Sequence, residues 1–495
     1  MLLIIENKLP KFNKKMNQLT NQTFRKAAHE LVDWMADFLE NVENLPTKSQ
    51  VKPKDIYNQL PEMPPQESEA MATVFEDFKS IILPGITHWQ SPNFFAYFPA
   101  NSSYPSVLAE MLMSTLGAQC MIWETSPAAA ELEEKVMNWL KEMMNLPRKW
   151  EGVIQDTAST ATLCALLTAR EKTSQFQINE TGFEAQKYRI YCSSQCHSSI
   201  DKAVKIAGFG VENLVKVAVN DDLTINAKAL EIAVESDIKN GFHPLFVMLA
   251  LGTTSTIALD AVRPVGEICE KHQIWLHLDA AYAGSALILP EYQDMIDGIE
   301  MADSFVFNPH KWLFTNFDCT AYFVKDVDAL LNTFTILPEY LKTQTRGQVN
   351  DYRDWGVPLG RRFRALKLWF VIRNFGVKGL QEKLRFHIEL AKKLETEIEL
   401  HNDFENVFPR SLNGVFFRYK PEKITDLKIL NQLNEQLLNR LNQSGELYLS
   451  HTKINGIYLI RMIIAQTNVE QRHIDKAWAE ICQAVIYLDT TDLSK

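Results

Sequence analysis

The stretch IWLHLDAAYAG, residues 274–284, decides the fold that the sequence predicts. Its first half is an apolar run typical of a buried strand, and Asp279 ends that run, where parallel sheets place their ligands. A buried carboxylate needs a cationic partner, although an aspartate here can also be a turn or capping residue. The small residues Ala280, Ala281 and Ala283 would let a flat ring lie against the backbone. The stretch predicts an α/β sheet with a site at its carboxyl edge.

The next apolar run, SFVF, leads into NPHKW, residues 308–312, which places Lys311 in an apolar setting. Such a lysine is a candidate for a lowered pKa and for covalent chemistry at its amine, while the commoner alternative is a lysine extending from a loop into solvent. One βαβ step separates Asp279 from Lys311, so we expect both at one sheet edge. Together they meet two needs of pyridoxal phosphate, an amine and a carboxylate that keeps the pyridine nitrogen protonated.

A phosphate site is predicted in DTASTATL, residues 156–163. Thr157, Ser159 and Thr160 precede a helical run, so hydroxyls and backbone N–H groups could converge on an anion. An ordinary helix N-cap is the alternative, and the charge of Asp156 is unfavourable for a phosphate.

Outward from this edge, short apolar runs alternate with helical stretches between residues 150 and 330, which predicts βαβ units and a mostly parallel sheet. The runs are Tyr188–Tyr191, Leu245–Leu251, Ile274–Leu278 and Phe305–Phe307, and Pro264–Lys271 is helical. After Phe363 a long helix leads to the strand-like segments Val415–Tyr419 and Ile457–Ile460 and to a last helix, Ile474–Ile486. We therefore expect a large α/β domain over residues 86–375 and a small α+β domain over residues 376–495.

The N-terminal segment, residues 1–85, is predicted to be helical. Apolar residues recur at helical spacing over Thr23–Glu43 and again over Met71–Ile82. The Pro-rich linker PEMPP, residues 61–65, separates the two helices, so neither is expected to bury its apolar stripe on the other. A second subunit is one candidate for the surface that covers them.

Composition excludes several classes of protein. The chain has 495 residues, 46% of them hydrophobic and 23% charged, as in large globular proteins. Its net charge of −10 and the lack of a basic run argue against a nucleic-acid partner. Cys192 and Cys196 precede His197, but no second Cys/His pair follows at zinc-ligand spacing, so no metal site is expected.

A cytoplasmic location is expected from three features. The seven cysteines are an odd number and scattered, which favours reduced thiols over a disulfide framework. The N-terminal MLLII is too short for a signal-peptide core. The uncharged stretch Gly241–Leu259 contains Pro244 and Gly252, so it indicates a strand and a turn, and no membrane association is expected.

Six motifs in order resemble the group II pyridoxal-phosphate decarboxylases, and within them the aromatic-L-amino-acid type. They are QCHSS (195–199), ALGTTST (250–256), WLHLDAAYAG (275–284), FNPHKW (307–312), NFDCTA (316–321) and PLGRRFRALKLWF (358–370). The resemblance covers the chain from its first helix to at least residue 395. It implies a fold-type I enzyme with pyridoxal 5′-phosphate as cofactor.

The resemblance also implies a role for individual residues. Lys311 would hold the cofactor, Asp279 would pair with its ring nitrogen, and His197 and Ala281 would lie on its two faces. The phosphate region would be contacted by Ala158, Ser159, Asn308 and His310, and the 3′ oxygen by Thr254. Leu359 and Gly360 would reach the cofactor of the other subunit, which makes a homodimer the expected assembly. Tyr340 would donate a proton from a mobile loop, and the substrate would be contacted by Trp89, Tyr97, Phe98, Pro99, Ala100 and His197.

The implied activity is decarboxylation of an L-amino acid, most simply tryptophan, DOPA, tyrosine or phenylalanine, to its amine. Aromatic members of the family commonly have Thr at the position of Ala100 and bulky apolar residues at those of Gln119 and Met121, so a non-aromatic substrate such as glutamate or histidine is an alternative. An oxidative, aldehyde-forming enzyme is a second alternative, which His197 and Tyr340 argue against. A catalytically inactive binding protein on the same fold is the third.

Overall fold

The structure is a computed structural model that describes residues 19–336 and 347–492. The chain divides into two compact units, Met1–His88 and Trp89–Lys495. The predicted domain boundaries after residues 85 and 375 stay predictions. No helix in the described ranges is long and apolar enough to cross a membrane.

The N-terminal unit contains the two predicted helices, α1 (Asn21–Asn41) and α2 (Met71–Asp77), and a π-helical turn, Phe78–Ile82, continues α2. The two helices touch through aromatic rings, but no residue of either helix is buried, so the apolar stripes stay largely exposed. The ring of Trp34 in α1 meets Phe75 and Phe78 edge-on, with centroids 5.6 and 5.5 Å apart. The 3₁₀ turns Val42–Asn44 and Tyr57–Gln59 interrupt the connection, so the chain is not held extended by its prolines.

A seven-stranded sheet forms the centre of the second unit, and the predicted mostly parallel α/β architecture is confirmed. Its strands are β1 (Glu151–Gln155), β2 (Tyr188–Ser193), β3 (Leu214–Val217), β4 (His243–Ala250), β5 (Trp275–Asp279), β6 (Ser304–Phe307) and β7 (Thr320–Val324). They lie in the order β1-β7-β6-β5-β4-β2-β3, and β7 runs antiparallel to both of its neighbours. All residues of β5, β6 and β7 are buried, because helices cover both faces of such a sheet.

Two helices precede the sheet, α3 (Tyr104–Leu116) and α4 (Pro127–Met143), and α11 (Val327–Phe334) follows it. The helices that connect its strands are α5 (Ala158–Thr173), α6 (Gln177–Thr181), α7 (Ser199–Ile206), α8 (Ala227–Lys239), α9 (Val262–His272) and α10 (Pro309–Trp312). The connection from β5 to β6 differs from the helix that a βαβ step implies. It consists of three 3₁₀ segments, and Pro290 begins the second of them.

The C-terminal part forms an antiparallel sheet with helices, as predicted. Its elements are α12 (Arg364–Leu400), β8 (Phe404–Asn406), β9 (Gly414–Tyr419), α13 (Leu427–Ser444), β10 (Ser450–Ile454), β11 (Ile457–Ile463) and α14 (Gln471–Asp492). The strand order is β10-β11-β9-β8. Gly376 interrupts α12 with φ 64° and ψ 165°, a left-handed φ that glycine adopts without strain.

An extended segment ahead of α3 links this small sheet to the large one. Phe95 donates its backbone N–H to Tyr448 (2.9 Å) and accepts one from Ile463 (3.0 Å). Three residues later, the ring of Phe98 stacks on Tyr282, which follows β5, with centroids 3.8 Å apart. The segment therefore brings aromatic side chains to the carboxyl edge of the large sheet.

Candidate active site

A cavity of about 250 Å³ lies at the carboxyl edge of β4, β5 and β6. Its lining contains most of the residues that the sequence placed at a cofactor site: Ala158, Ser159, His197, Thr254, Asp279, Ala281, Asn308, His310 and Lys311, together with Phe98, Thr157, Ala250, Gly252, Thr253 and Tyr282. Parallel strands end together at one edge, so residues more than 100 positions apart in sequence meet here.

Asp279 is the last residue of β5 and only 7% exposed. Its strand pairs with β4 on one side and β6 on the other, which fixes the backbone from which the carboxylate projects. Oδ1 accepts the backbone N–H of Ala281 at 3.0 Å. The carbonyl of Ala281 in turn accepts the N–H of Asn308 at 3.0 Å, so the ends of the two strands are tied together.

Lys311 lies in the short helix α10, and its Nζ is 5.1 Å from the ring centroid of Phe98. Burial lowers the pKa of Lys311 to about 8; the carboxylate of Asp279 opposes this and the guanidinium of Arg461 adds to it. Asn101 Nδ2 donates to the Lys311 carbonyl at 2.9 Å and holds the backbone. A lysine with this pKa is a more available nucleophile near neutral pH than an exposed one.

His197 is neutral and has a defined tautomer. The backbone N–H of Ser199 donates to His197 Nδ1 at 3.1 Å, so the proton of the neutral ring is on Nε2. Burial lowers the pKa of His197, against the opposing effect of Asp279. The imidazole can therefore donate a hydrogen bond from Nε2 without carrying a charge.

The opposite end of the cavity is formed by the first turn of α5. Thr157 is its N-cap, with Oγ1 accepting the N–H of Thr160 at 3.3 Å. The next two residues, Ala158 and Ser159, line the cavity at the end of the helix that favours anions. The charge of Asp156 was expected to be unfavourable for a phosphate. Its Oδ1 accepts a hydrogen bond from the N–H of Thr157 at 2.7 Å, so this carboxylate already has a donor.

Asn308 and His310 fix the chain between β6 and Lys311. Asn308 Oδ1 accepts from Thr320 Oγ1 at 2.8 Å, and His310 Nδ1 accepts from the N–H of Cys319 at 3.0 Å. Burial, and next the charge of Lys311, lower the pKa of His310 to about 3. An amine, a carboxylate and an anion-binding helix end thus meet in one cavity, and these residues fit pyridoxal phosphate.

Several predicted residues lie outside this cavity lining. They are Trp89, Tyr97, Pro99, Ala100, Leu359 and Gly360. Leu359 is 50% exposed, and a Cβ on Gly360 would lie 3.2 Å from Gln119 Nε2. Tyr340 lies outside the described residues.

Sequence reasoning missed Arg461, in the middle of β11. It is 3% exposed, its Cζ lies 4.6 Å from the ring centroid of Phe98, and one guanidinium nitrogen donates to the carbonyl of Tyr97. Within the described residues, Nε and Nη2 have no hydrogen-bond partner. Burial lowers the pKa of Arg461 to about 10. Its signal in the sequence is a single cation in the apolar run IYLIRMII, residues 457–464.

Comparisons with known proteins agree with this geometry. Residues 53–420 match the model of the pyridoxal-dependent decarboxylase conserved domain. Tyrosine decarboxylase of Papaver somniferum is 41% identical over 93% of this chain and 94% of its own length. Phenylacetaldehyde synthase of Arabidopsis thaliana is 42% identical over 96% and 98%. The crystal structure of Catharanthus roseus tryptophan decarboxylase in complex with L-tryptophan has a TM-score of 0.90 and 38% identity, over 95% of this chain and 99% of that one.

The family match covers well over half of the chain, and the two relatives match nearly all of it. These findings confirm the predicted fold class, the cofactor and the enzyme class, a carboxy-lyase. The chain belongs to the pyridoxal-dependent decarboxylase family.

Proposed function

We propose that this protein decarboxylates an aromatic L-amino acid to the corresponding amine and CO₂. One observation carries the proposal: Lys311, Asp279, His197 and the N-terminus of α5 line one cavity. The similarity to a tyrosine decarboxylase and to a tryptophan decarboxylase supports an aromatic substrate. Tryptophan, DOPA, tyrosine and phenylalanine are the candidates.

Each lining residue has a task in this proposal. When bound, pyridoxal phosphate supplies an electron sink for the pair left by the departing carboxylate. Lys311 binds the cofactor through its amine, and Asp279 keeps the proton on the pyridine nitrogen. Its phosphate region is bound by Ala158, Ser159, Asn308 and His310, and its 3′ oxygen by Thr254. His197 and Ala281 hold the ring between them, which orients the substrate bond to be broken.

We place the substrate on the side of the cavity that Phe98 lines. Its carboxylate is attracted by the guanidinium of Arg461, whose Nε and Nη2 have no other partner in the described chain. Little water surrounds the carboxylate there, and this favours its departure as neutral CO₂. The side chain of the substrate is contacted by Trp89, Tyr97, Phe98, Pro99 and Ala100, with His197 beside it.

We also propose that the protein is a homodimer. Helix α3 presents the exposed side chains of Tyr104, Leu108, Leu112 and Leu116, spaced four residues apart along one face. Such a stripe on a folded protein needs a partner, and a second copy of the chain would be covered by the same stripe. Leu359 and Gly360 then reach the partner's cofactor. A cytoplasmic location agrees with seven cysteines that form no disulfide.

An aldehyde-forming reaction is the second candidate, because the Arabidopsis relative is a phenylacetaldehyde synthase at 42% identity. In decarboxylation the carbon that loses CO₂ takes a proton, for which Tyr340 is the proposed donor. Without that proton the carbon can react with oxygen, which gives aldehyde, ammonia and peroxide. The two reactions therefore differ in product and in oxygen uptake.

The test supplies the purified holoenzyme with each of the four aromatic amino acids and, as controls, with histidine and glutamate. CO₂, amine, aldehyde and oxygen are measured together. We expect CO₂ and amine in equal amounts from an aromatic substrate, without oxygen uptake. Aldehyde with oxygen uptake would establish the second candidate, turnover of glutamate or histidine alone would overturn the aromatic assignment, and no CO₂ from any substrate would indicate an inactive binding protein. Tyr340→Phe should shift the product toward aldehyde.

A further inference from the structure

Asn101 is a buried polar residue that contacts the backbone of Lys311. It lies in the extended segment ahead of α3, three residues after Phe98, and is 1% exposed. Its backbone N–H donates to the His310 carbonyl at 2.9 Å, and its side-chain Nδ2 donates to the Lys311 carbonyl, also at 2.9 Å. Helix α10 has only four residues, and the last carbonyls of a helix need partners from outside it. Asn101 therefore binds two consecutive carbonyls of the short helix that carries Lys311.

The other contacts of the Asn101 side chain are with the connection between β11 and α14. Nδ2 also donates to the Ala465 carbonyl at 2.7 Å. Oδ1 accepts the backbone N–H of Thr467 at 3.1 Å, and the Thr467 hydroxyl lies 2.7 Å from the same oxygen. Because carbonyls face one end of the carboxamide and an N–H faces the other, these partners decide which end is the nitrogen. Both polar atoms of this side chain are therefore fully hydrogen-bonded within the protein.

We propose that Asn101 is a positioning residue for Lys311, which it holds by linking α10 to the β11–α14 connection. The carboxamide binds Lys311 on one side and Ala465 on the other, four residues beyond Arg461. A buried carbonyl without a partner is destabilising, so α10 would shift if the carboxamide were removed. The Lys311 amine extends from that backbone, and a small displacement changes where the amine lies relative to the group it must reach. This role rests on the proposed function, in which the Lys311 amine binds the cofactor.

A second buried asparagine, Asn434 in α13, is a matched control. Its Nδ2 donates to the carbonyls of Tyr419 and Leu430, both at 2.8 Å, and its Oδ1 accepts the Tyr419 N–H at 2.7 Å. None of these three residues lines the cavity. Asn434 therefore makes the same kinds of hydrogen bond as Asn101, and its removal should lower stability without an effect on Lys311.

Cofactor binding by the full-length apoenzyme tests this role without an assay of turnover. Pyridoxal phosphate is titrated into the wild type, Asn101→Ala and Asn434→Ala, and urea unfolding is measured on the same proteins. We expect both substitutions to lower the urea midpoint, because each leaves buried carbonyls and an N–H without a partner. The dissociation constant of the cofactor should rise about tenfold in Asn101→Ala, as for the loss of one buried hydrogen bond, and should change little in Asn434→Ala. A wild-type dissociation constant in Asn101→Ala, or an equal rise in both variants, would overturn the proposal.

Two measurements on the cofactor-saturated proteins separate positioning from a general loss of stability. The visible circular dichroism of a bound cofactor depends on how the protein holds its ring, so the signal per bound cofactor should weaken in Asn101→Ala and persist in Asn434→Ala. The kcat of Asn101→Ala should fall severalfold while KM for the amino acid changes little, because Asn101 has no assigned contact with the substrate. Wild-type dichroism and kcat at full occupancy in Asn101→Ala would overturn the proposed displacement of the amine.

Asn101→Ser decides the matter if Asn101→Ala does not fold. It keeps one donor on a shorter side chain, so we expect it to recover part of the stability and part of the cofactor affinity. A wild-type affinity in Asn101→Ser beside an unfolded Asn101→Ala would show that Asn101 is needed for folding alone, and would overturn the proposal. A wild type that binds the cofactor but releases no CO₂ from any amino acid would instead contradict the proposed function, since the dissociation constants are measured without substrate.

Discussion

Two regions of the second unit contain buried cations. In one region each cation is paired with a carboxylate, and in the other it is not. At the start of α12, Lys367 has a fully buried side chain and binds Glu110 at 2.6 Å, and Arg364 binds Asp318 at 2.9 Å. Lys311 in the cavity lining and Arg461, which lies outside that lining, form no ion pair with any described residue, although both lie close to Phe98. Burial lowers the pKa of both of these cations.

We interpret the paired cations at the start of α12 as structural and the unpaired cations near Phe98 as functional. An unpaired buried cation is unfavourable, and a fold retains it only where something else compensates. At the start of α12 the compensation is a carboxylate of the same chain. For Lys311 and Arg461 we propose that ligands compensate, namely an anionic cofactor and the carboxylate of an amino-acid substrate.

The largest expected effect is a difference between two variants, each of which replaces one lysine from one of the two regions. Lys311→Ala should abolish decarboxylation and the absorbance of the bound cofactor while the protein stays folded, because it removes the group that holds the cofactor. Lys367→Met should keep both but lower the free energy of unfolding by about 2 kcal/mol, since it leaves Glu110 without that partner. Activity, absorbance and urea unfolding measured on both variants check this. Near-normal turnover by Lys311→Ala would refute its role.

Asp279→Asn tests the charge that faces the cofactor. A neutral amide cannot hold the pyridinium proton, so we expect turnover to fall by about a hundredfold or more while some cofactor stays bound. The comparison of kcat with the cofactor content of the variant checks it. A turnover equal to that of the wild type would show that the electron sink does not depend on this carboxylate.

Arg461 should act on substrate binding. Arg461→Met removes a charged donor, so we expect KM to rise about tenfold or more with a smaller change in kcat. Arg461→Lys keeps the charge and should recover part of the loss. If KM stays constant and only kcat falls, the guanidinium acts through the Tyr97 carbonyl that it binds, and the substrate carboxylate is bound elsewhere.

The lowered pKa of Lys311 predicts how the rate of cofactor uptake depends on pH. The amine must be uncharged to react with a carbonyl, and its pKa is about 8. Below that pH the rate of uptake by the apoenzyme should rise about tenfold per pH unit, and above it the rate should level off. Rapid-mixing absorbance measures this rate. A rate that keeps rising to about pH 10.4, the ordinary lysine value, would contradict a desolvated Lys311.

Much of the large sheet could be predicted because its signals are local. The apolar runs before Asp279 and Lys311 are buried strands, and Val262–His272 forms the expected helix. The pairing of β1 with β7 could not be predicted, since it joins Gln155 to Thr320 and no local pattern records such a partner.

The missed features depend on contacts between distant parts of the chain. Arg461 is the single cation in an otherwise apolar strand, and only the fold shows that its guanidinium lies over Phe98. Trp34 packs on Phe75 because the intervening chain folds back, which the Pro-rich linker did not indicate. The roles of Leu359 and Gly360 depend on a second subunit and stay predictions.

The most direct test of the account is to find which lysine holds the cofactor. Borohydride reduction of the holoenzyme fixes the pyridoxyl group to that lysine, and peptide mapping by mass spectrometry then locates it. We predict a single modified residue, Lys311, the lysine that the cavity leaves without an ion pair. A pyridoxyl group on Lys367, on Lys202 beside His197, or spread over several surface lysines would contradict the account.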